Sequence, residues 1–544
     1  MSRRDLYALA LPVLAYLGLV AMMVRAVLRL DGGEFTYAVD DPYIHLAVAR
    51  NLVENGVFCT SGAVHCSVSS SLLWPYLLAA VLAATSHVLW APLVLNALGG
   101  VALIALFYAI ARQGSGAAGA ALLAAAGGAA SLLPGMTLIG MEHVWHEAAV
   151  VGFAWLVVRG LAREPASPVR DALPPALLGL LATAIRLESL FVVLIGCALL
   201  AGRRRVGRAL AIGLVSAVPL LVQAAQGIAH GEGFLPNSIV VKAVVFHPGF
   251  DSAWRDRCFR VLDNLARGDV LRNLIALGLG IGLLSLAARR RPPADRSARA
   301  RRWLALFLGT AAVHTGLAVS GFMYRHESYV VALGCAAVIA AGLDLAPLWS
   351  PAGRPGRAAG VLAVCLLVLA PAGPNLWRHP RQMVLGAGNV HEQQCQMGRF
   401  IDRYYRDRTV AVNDIGCVSY LARRTRLLDL LGLATHEVAR ARLERRYDRS
   451  LIESVSRPAA LVLVYESWFA ELRPPSWRKI AAWTIPRNVV CARPTVAFFS
   501  PARERDGEIF REVAEFSREL PAEVEVRYDL PPEEAARYGA PAGR

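Results

Sequence analysis

Residues 6–24 read LYALALPVLAYLGLVAMMV, a run without one charge, and after a short polar break residues 37–43 read YAVDDPY. Crossing a hydrocarbon core about 30 Å thick takes roughly 20 apolar residues. The first stretch is therefore a membrane span, and similar runs recur as far as Pro371. Composition agrees: of 544 residues, 56% are hydrophobic and only 18% charged, with a mean hydropathy of +0.44. Soluble chains carry about a quarter charged residues. Met1-Ser-Arg-Arg precedes the first run, but no small-residue cleavage site follows it, so the run reads as a retained span rather than a signal.

Eleven spans follow from the runs, at about 7–29, 92–111, 115–133, 145–161, 172–186, 188–202, 208–226, 270–288, 303–320, 328–345 and 358–374. The apolar stretch Ser70–Ala84 holds Pro75 and follows a polar loop, and reads as a helix lying at the outer interface. With the N-terminus inside, every cytoplasmic turn is basic: Arg3-Arg4, Arg112, Arg159/Arg163/Arg170, Arg203 to Arg208, Arg289 to Arg302, and Arg354/Arg357. The opposite turns are nearly free of bases, as the positive-inside bias requires. The net charge of +16 sits in those clusters, which argues against nucleic acid as a partner. Counting Ser70–Ala84 as a span would put the clusters outside.

Residues 1–374 thus form a membrane domain, and residues 375–544 an extracytoplasmic domain. There hydrophobic density falls and the pattern becomes α/β. Gln393–Tyr405 reads as an amphipathic helix, and Thr409–Val412, Ala460–Val464 and Thr495–Phe499 as strands rich in β-branched residues. Nine cysteines show no CxxC spacing. Cys59 and Cys66 share an outer loop where a disulfide is permitted, and the sequence leaves that pairing open.

Ionisable residues at a membrane edge are costly, so their placement informs. Five outer turns carry them: Asp40-Asp41-Pro42-Tyr43 with His45 and Arg50; Glu142-His143 with His146 and Glu147; Arg186 and Glu188; Leu235-Pro236-Asn237 with Lys242; and Arg325-His326-Glu327. Glycosyl transfer from a phosphate leaving group needs a carboxylate to take the acceptor's proton. It also needs fixed cations for the phosphate charge that grows as the bond breaks. Each feature has a plainer reading. Asp40-Asp41 before Pro42 resembles a helix cap, and Arg186 with Glu188 or Arg325 with Glu327 resemble structural ion pairs. Lys242 resembles a headgroup anchor. His143 and His146 have helical spacing but no third zinc ligand.

The order of Asp40-Asp41-Pro-Tyr-Ile, Ala49-Arg50-Asn51-Leu52, Ser71-Leu-Leu-Trp74, Gly140-Met-Glu142, Arg186-Leu-Glu188, Leu235-Pro-Asn237, Tyr324-Arg-His-Glu327 and Asn413-Asp414-Ile-Gly416 resembles bacterial GT-C fold glycosyltransferases. The arabinofuranosyltransferase-like and mannosyltransferase-like proteins that use polyprenyl-phosphate sugars are the nearest in pattern. The resemblance implies a mainly α, multi-pass protein of the bacterial inner membrane, acting on its extracytoplasmic face. It would pass one sugar from a polyprenyl-phosphate donor to a glycan, lipid or protein acceptor of the cell envelope. By that resemblance Asp40 or Asp41 is the general base. Lys242, Arg186 and Arg325 hold the donor phosphate, while Glu142, Glu188, His45, Asn237 and Glu327 orient the sugar or the cations. No metal ligand set is implied, though the resemblance leaves room for Mg or Mn. A transporter or flippase of lipid-linked saccharides would instead place its charges near the midplane. A non-catalytic assembly subunit would use the acids as caps. Trp468, Trp477 and Trp483 are either glycan-stacking residues or core of the outer domain, and core is favoured.

Overall fold

The computed structural model describes residues 2–62, 64–85, 88–163, 167–238, 241, 254–287, 294–348 and 353–538. Each of the eleven expected spans falls on a helix. Among the described residues six helices are long and apolar enough to cross a membrane: Arg3–Leu30, Val88–Ala111, His143–Leu161, Val206–Ala229, Asp269–Ala287 and Ser328–Leu345. A seventh would be the pair Ala117–Ala130 and Leu133–Ile139, bent by 47°. The break has a local cause. Leu132 is left-handed at φ 55°, and Pro134 cannot donate to the preceding turn. The other expected spans are short, as in Ser189–Ala201 and Pro355–Leu369, or mixed in composition. Pro168–Ile185 contains Asp171 and the Pro174-Pro175 pair, and Ala294–Leu317 opens on four arginines. Leu73–Ala84 has 12 residues and so is about 18 Å long, too short to cross.

The C-terminal part holds a six-stranded sheet in the order β2-β1-β3-β5-β4-β6. The strands are β1 (Thr409–Val412), β2 (Arg426–Asp429), β3 (Leu461–Val464), β4 (Arg478–Thr484), β5 (Thr495–Ser500) and β6 (Glu525–Tyr528). β2, β1 and β3 are parallel, whereas β5 and β4 are antiparallel to their neighbours. Period-two alternation gives the sheet two cores. Val410, Val412, Leu461 and Leu463 join the core that continues into the helical bundle, while Ala411, Val462 and Val464 join a separate one. Trp477 and Trp483 are buried, the latter against Phe498 and Phe516. Trp468 packs at the edge of the second core. The core reading fits Trp477 and Trp483, while Trp468 is half-buried.

The expected helix Gln393–Tyr405 is the end of a longer one. Asn375–Val390 continues through a π-helical turn, His391–Cys395, into Gln396–Tyr404. Such turns recur at functional sites. Here both Gln393 and Gln394 meet the Tyr465 hydroxyl.

Cys59 and Cys66 form a disulfide. Alkylation of the denatured chain without reductant is expected to leave two fewer of the nine cysteines labelled than alkylation after reduction; equal labelling would refute the bond.

Candidate functional site

The turns that carry charge converge. Arg186 ends the helix Pro168–Ile185 in an extended conformation, and two residues later Glu188 starts Ser189–Ala201. Its guanidinium forks, with Nη1 2.8 Å from Glu142 Oε1 and Nη2 2.7 Å from Glu188 Oε1. Glu142 stands at the start of the helix His143–Leu161 but makes no cap bond. Its Oε1 also accepts from the Ser70 hydroxyl at 3.4 Å, and its Oε2 lies 3.6 Å from His45 Nε2. Gly140 makes the turn that delivers Glu142. It has φ 75°, and a Cβ there would stand 2.3 Å from the Tyr37 ring. Burial alone would raise the Glu188 carboxyl, but the Arg186 charge and hydrogen bond outweigh it and hold it at about 2. The Glu188 arm is therefore ionised near neutrality.

Asp40 and Asp41 part company. Asp41 pairs with Arg325 and keeps 22% of its side chain exposed. Asp40 occupies the N-cap position of Asp41–Asn55 yet makes no cap bond to that helix. Its carboxylate caps another helix instead: Gly416 N–H donates to Oδ2 and Cys417 N–H to Oδ1, each at 2.7 Å. That helix, Gly416–Leu421, belongs to the α/β part. Burial and the neighbouring Asp414 charge push the Asp40 carboxyl well up. Asp414 is held in turn by the Gln394 amide at 3.0 Å and the Tyr465 hydroxyl at 2.8 Å.

Arg325 sits on a strained turn. Phe322, Met323 and Tyr324 are all left-handed, at φ 47°, 60° and 61°, a conformation that costs roughly 1–2 kcal/mol for each non-glycine residue. Glu327 is fully buried and pins the turn, both its oxygens accepting from Gly321 N–H at 3.1 and 2.9 Å. The guanidinium of Arg325 lies 4.5 Å over the Phe322 ring and 3.6 Å from Met141 Sδ. Burial pushes the Glu327 carboxyl up to about 8. An acid whose folded pKa is raised contributes stability below its unfolded pKa and loses it as pH rises through the folded one. The thermal midpoint in detergent is thus expected to fall as pH rises from about 4.5 to about 8 and to level off above that, and Glu327→Gln to flatten that fall. Identical profiles would remove Glu327 as the titrating group.

Asn237 is buried, with its N–H donating to Ser67 Oγ at 3.0 Å, and Ser238 Oγ donates to the Ser69 carbonyl at 3.0 Å. Ser69 Oγ is 3.1 Å from His45 Nδ1, so this segment adjoins the same cluster. Lys242 lies outside the described residues. Ser70 and the support that Asp414 gives Asp40 are not legible in the sequence as parts of the site, whereas His143, on one of the charged turns, is buried there. Neither ring nitrogen of His143 has a hydrogen-bond partner among the described residues. Among those residues no three His, Cys, Asp or Glu side chains are grouped to hold a metal ion.

Comparison with known proteins places the fold. ArnT from Cupriavidus metallidurans bound to undecaprenyl phosphate is similar at a TM-score of 0.50, with 14% identity over 91% of this chain and 98% of that one. The apo oligosaccharyltransferase of Archaeoglobus fulgidus gives a TM-score of 0.47, with 12% identity over 90% of this chain and 74% of that one. The likeness to ArnT shows a shared fold, the GT-C architecture. Residues 387–499 match a domain of unknown function, DUF8728. No curated protein matches the chain.

Proposed function

We propose that this chain is an integral membrane glycosyltransferase. It moves a single sugar from a polyprenyl-phosphate donor to a glycan, lipid or protein acceptor of the cell envelope, on the extracytoplasmic face of a bacterial inner membrane. In this reading residues 1–374 form the catalytic domain and residues 375–544 an extracytoplasmic α/β domain. The observation that carries it is the pairing of the part-exposed Asp41 carboxylate with Arg325 beside the Arg186–Glu142 fork. A carboxylate and two guanidinium groups lie on turns linked through Met141 and Glu142, which supports a site for a lipid phosphate and a hydroxyl acceptor. The ArnT fold, seen with undecaprenyl phosphate bound, supports a lipid-phosphate carrier. The basic turns support the orientation.

In the proposed reaction Asp41 accepts the proton of the acceptor hydroxyl. That oxygen bonds to the anomeric carbon, and the bond from that carbon to the phosphate oxygen breaks. The departing polyprenyl phosphate keeps the electron pair, and Arg325 and Arg186 hold its added charge, joined by Lys242. Arg325 neutralises Asp41 before the donor arrives; the donor phosphate then competes for the guanidinium and leaves the carboxylate free to act as base. Glu142 and Glu188 fix the Arg186 fork, His45 and Asn237 line the adjoining wall, and Glu327 fixes the Arg325 turn.

The test supplies membranes holding the wild-type chain with radiolabelled polyprenyl-phosphate sugars. Transfer of label to envelope material, lost in Asp41→Asn at equal protein level, supports the reading. Wild-type membranes that transfer nothing from any such donor would sink it and favour a flippase or an assembly subunit.

A further inference from the structure

Two consecutive aspartates begin the helix Asp41–Asn55, and only Asp41 shares the cluster with Arg325 and the Arg186 fork. Asp40 spends both carboxylate oxygens on the backbone N–H groups of Gly416 and Cys417. Three turns further along the same helix, Arg50 reaches the other end of Gly416–Leu421. Its Nη1 donates to the Tyr420 carbonyl at 2.6 Å and its Nη2 to the Ser419 carbonyl at 2.9 Å. Asp40 and Arg50 thus hold the two ends of the short helix through its otherwise unpaired backbone groups. Arg50 is 6% exposed, so these bonds are made away from solvent.

The fit at the first end leaves no slack. A Cβ on Gly416 would stand 2.2 Å from both the Asp40 carbonyl oxygen and Asp40 Oδ2. The contact also fills a particular place in the sheet. β1 lies between β2 and β3, and the chain leaves its carboxyl end through Asn413 and Asp414. In α/β sheets a crevice at such a switch point commonly takes a ligand. Here the first residues of Asp41–Asn55 take it, with Asp414 and the glutamine pair of the π-helical turn behind them.

We infer that the helix Gly416–Leu421 is the mount of Asp41–Asn55 and so sets the position of Asp41, with Asp40, Arg50 and Gly416 as positioning residues for the reaction. The α/β domain is on this view a working part of the catalytic centre, and its sheet-end crevice is closed to an acceptor. The inference rests on the proposed glycosyl transfer for its kinetic arm and on geometry alone for its structural arm.

The test uses the full-length chain in detergent, with the radiolabelled polyprenyl-phosphate sugar that the wild type uses as probe. Arg50→Ala and Gly416→Ala are expected to lower kcat by roughly 10²-fold, the cost of a displaced catalytic group of about 1 Å. Donor KM stays within about twofold, because the phosphate ligands are untouched. Amide hydrogen exchange across residues 41–55 rises in both variants. Arg50→Lys, which can reach one carbonyl but not both, gives an intermediate kcat. Folded variants with wild-type kcat overturn the inference, as does a rise in donor KM with kcat unchanged. Should the two larger changes prevent folding, an unaltered kcat in Arg50→Lys overturns it alone. A wild type without transfer removes the glycosyltransferase reading, while the exchange measurement still decides whether the mount exists.

Discussion

Asp41→Asn is expected to cut sugar transfer by roughly 10²–10⁴-fold, the range a general base contributes, with the protein folded and at its normal level. The change keeps the shape of the side chain and removes only its charge and basicity. Asp41 keeps 22% of its side chain exposed, so an acceptor hydroxyl has access to it. Asp40 is committed elsewhere, since both its oxygens accept backbone N–H groups. Loss of Asp41 also frees Arg325 for the donor phosphate, so donor KM is expected to hold or fall while kcat collapses. That split marks an interaction made in the transition state rather than in the bound ground state. Asp40→Asn is expected to act differently. An amide presents an N–H₂ to one of the two N–H donors, so it unseats the mount and loosens residues 41–55 as well as slowing transfer. Initial rates, donor KM and thermal midpoints measured side by side separate the two. Retention of more than about a third of wild-type kcat in Asp41→Asn would leave the carboxylate as a mere partner of Arg325 and overturn the base assignment.

The adjacency of the two aspartates was plain in the sequence, but their division of labour was not. Asp40 is committed to Gly416 N–H, 376 residues away, and no local pattern announces a bond of that range. The same applies to Arg50, whose partners Ser419 and Tyr420 lie on a helix of six residues. Asp40 does cap a helix, but that helix is Gly416–Leu421 rather than its own. Spans were legible because burial in lipid demands unbroken apolar runs. Shorter or Arg-headed helices such as Ser189–Ala201 and Ala294–Leu317 blur that signal. Three strands were missed for reasons of composition. β4 opens on Arg478-Lys479, β6 alternates Glu525 and Arg527 with apolar residues at the sheet edge, and β2 is bounded by the charged Arg426 and Asp429. Glu142, Arg186 and Glu188 were legible as expensive charges at span ends, and their convergence was inferred from shared sidedness. The Cys59–Cys66 bond is not legible in the sequence, because spacing alone does not determine whether two cysteines meet.

Arg186→Ala is expected to cost roughly 3–5 kcal/mol of stability, because it strands a buried partner charge. Glu142 is fully buried, and its Oε1 relies on Arg186 Nη1 at 2.8 Å. Glu188 loses a 2.7 Å bond at the same stroke. The same loss would follow if the fork were purely structural, so the single variant does not separate the roles. A second change does. Arg186→Ala combined with Glu142→Gln removes the stranded charge, and most of the lost stability is expected to return. Transfer is not expected to return, because the donor phosphate still lacks one of its cations. Donor KM in the double variant should remain raised, by roughly 1.5–3 kcal/mol in binding for one lost charge-assisted bond, or about 10–100-fold. Arg186→Lys gives a third reading. A single ammonium on a flexible stem does not reproduce the planar fork to Glu142 and Glu188, so it restores charge without restoring geometry. Thermal unfolding and transfer rates on these variants decide the matter. If the double variant recovers both stability and donor KM, Arg186 is a structural ion pair and the phosphate is held by Arg325 and residues beyond it.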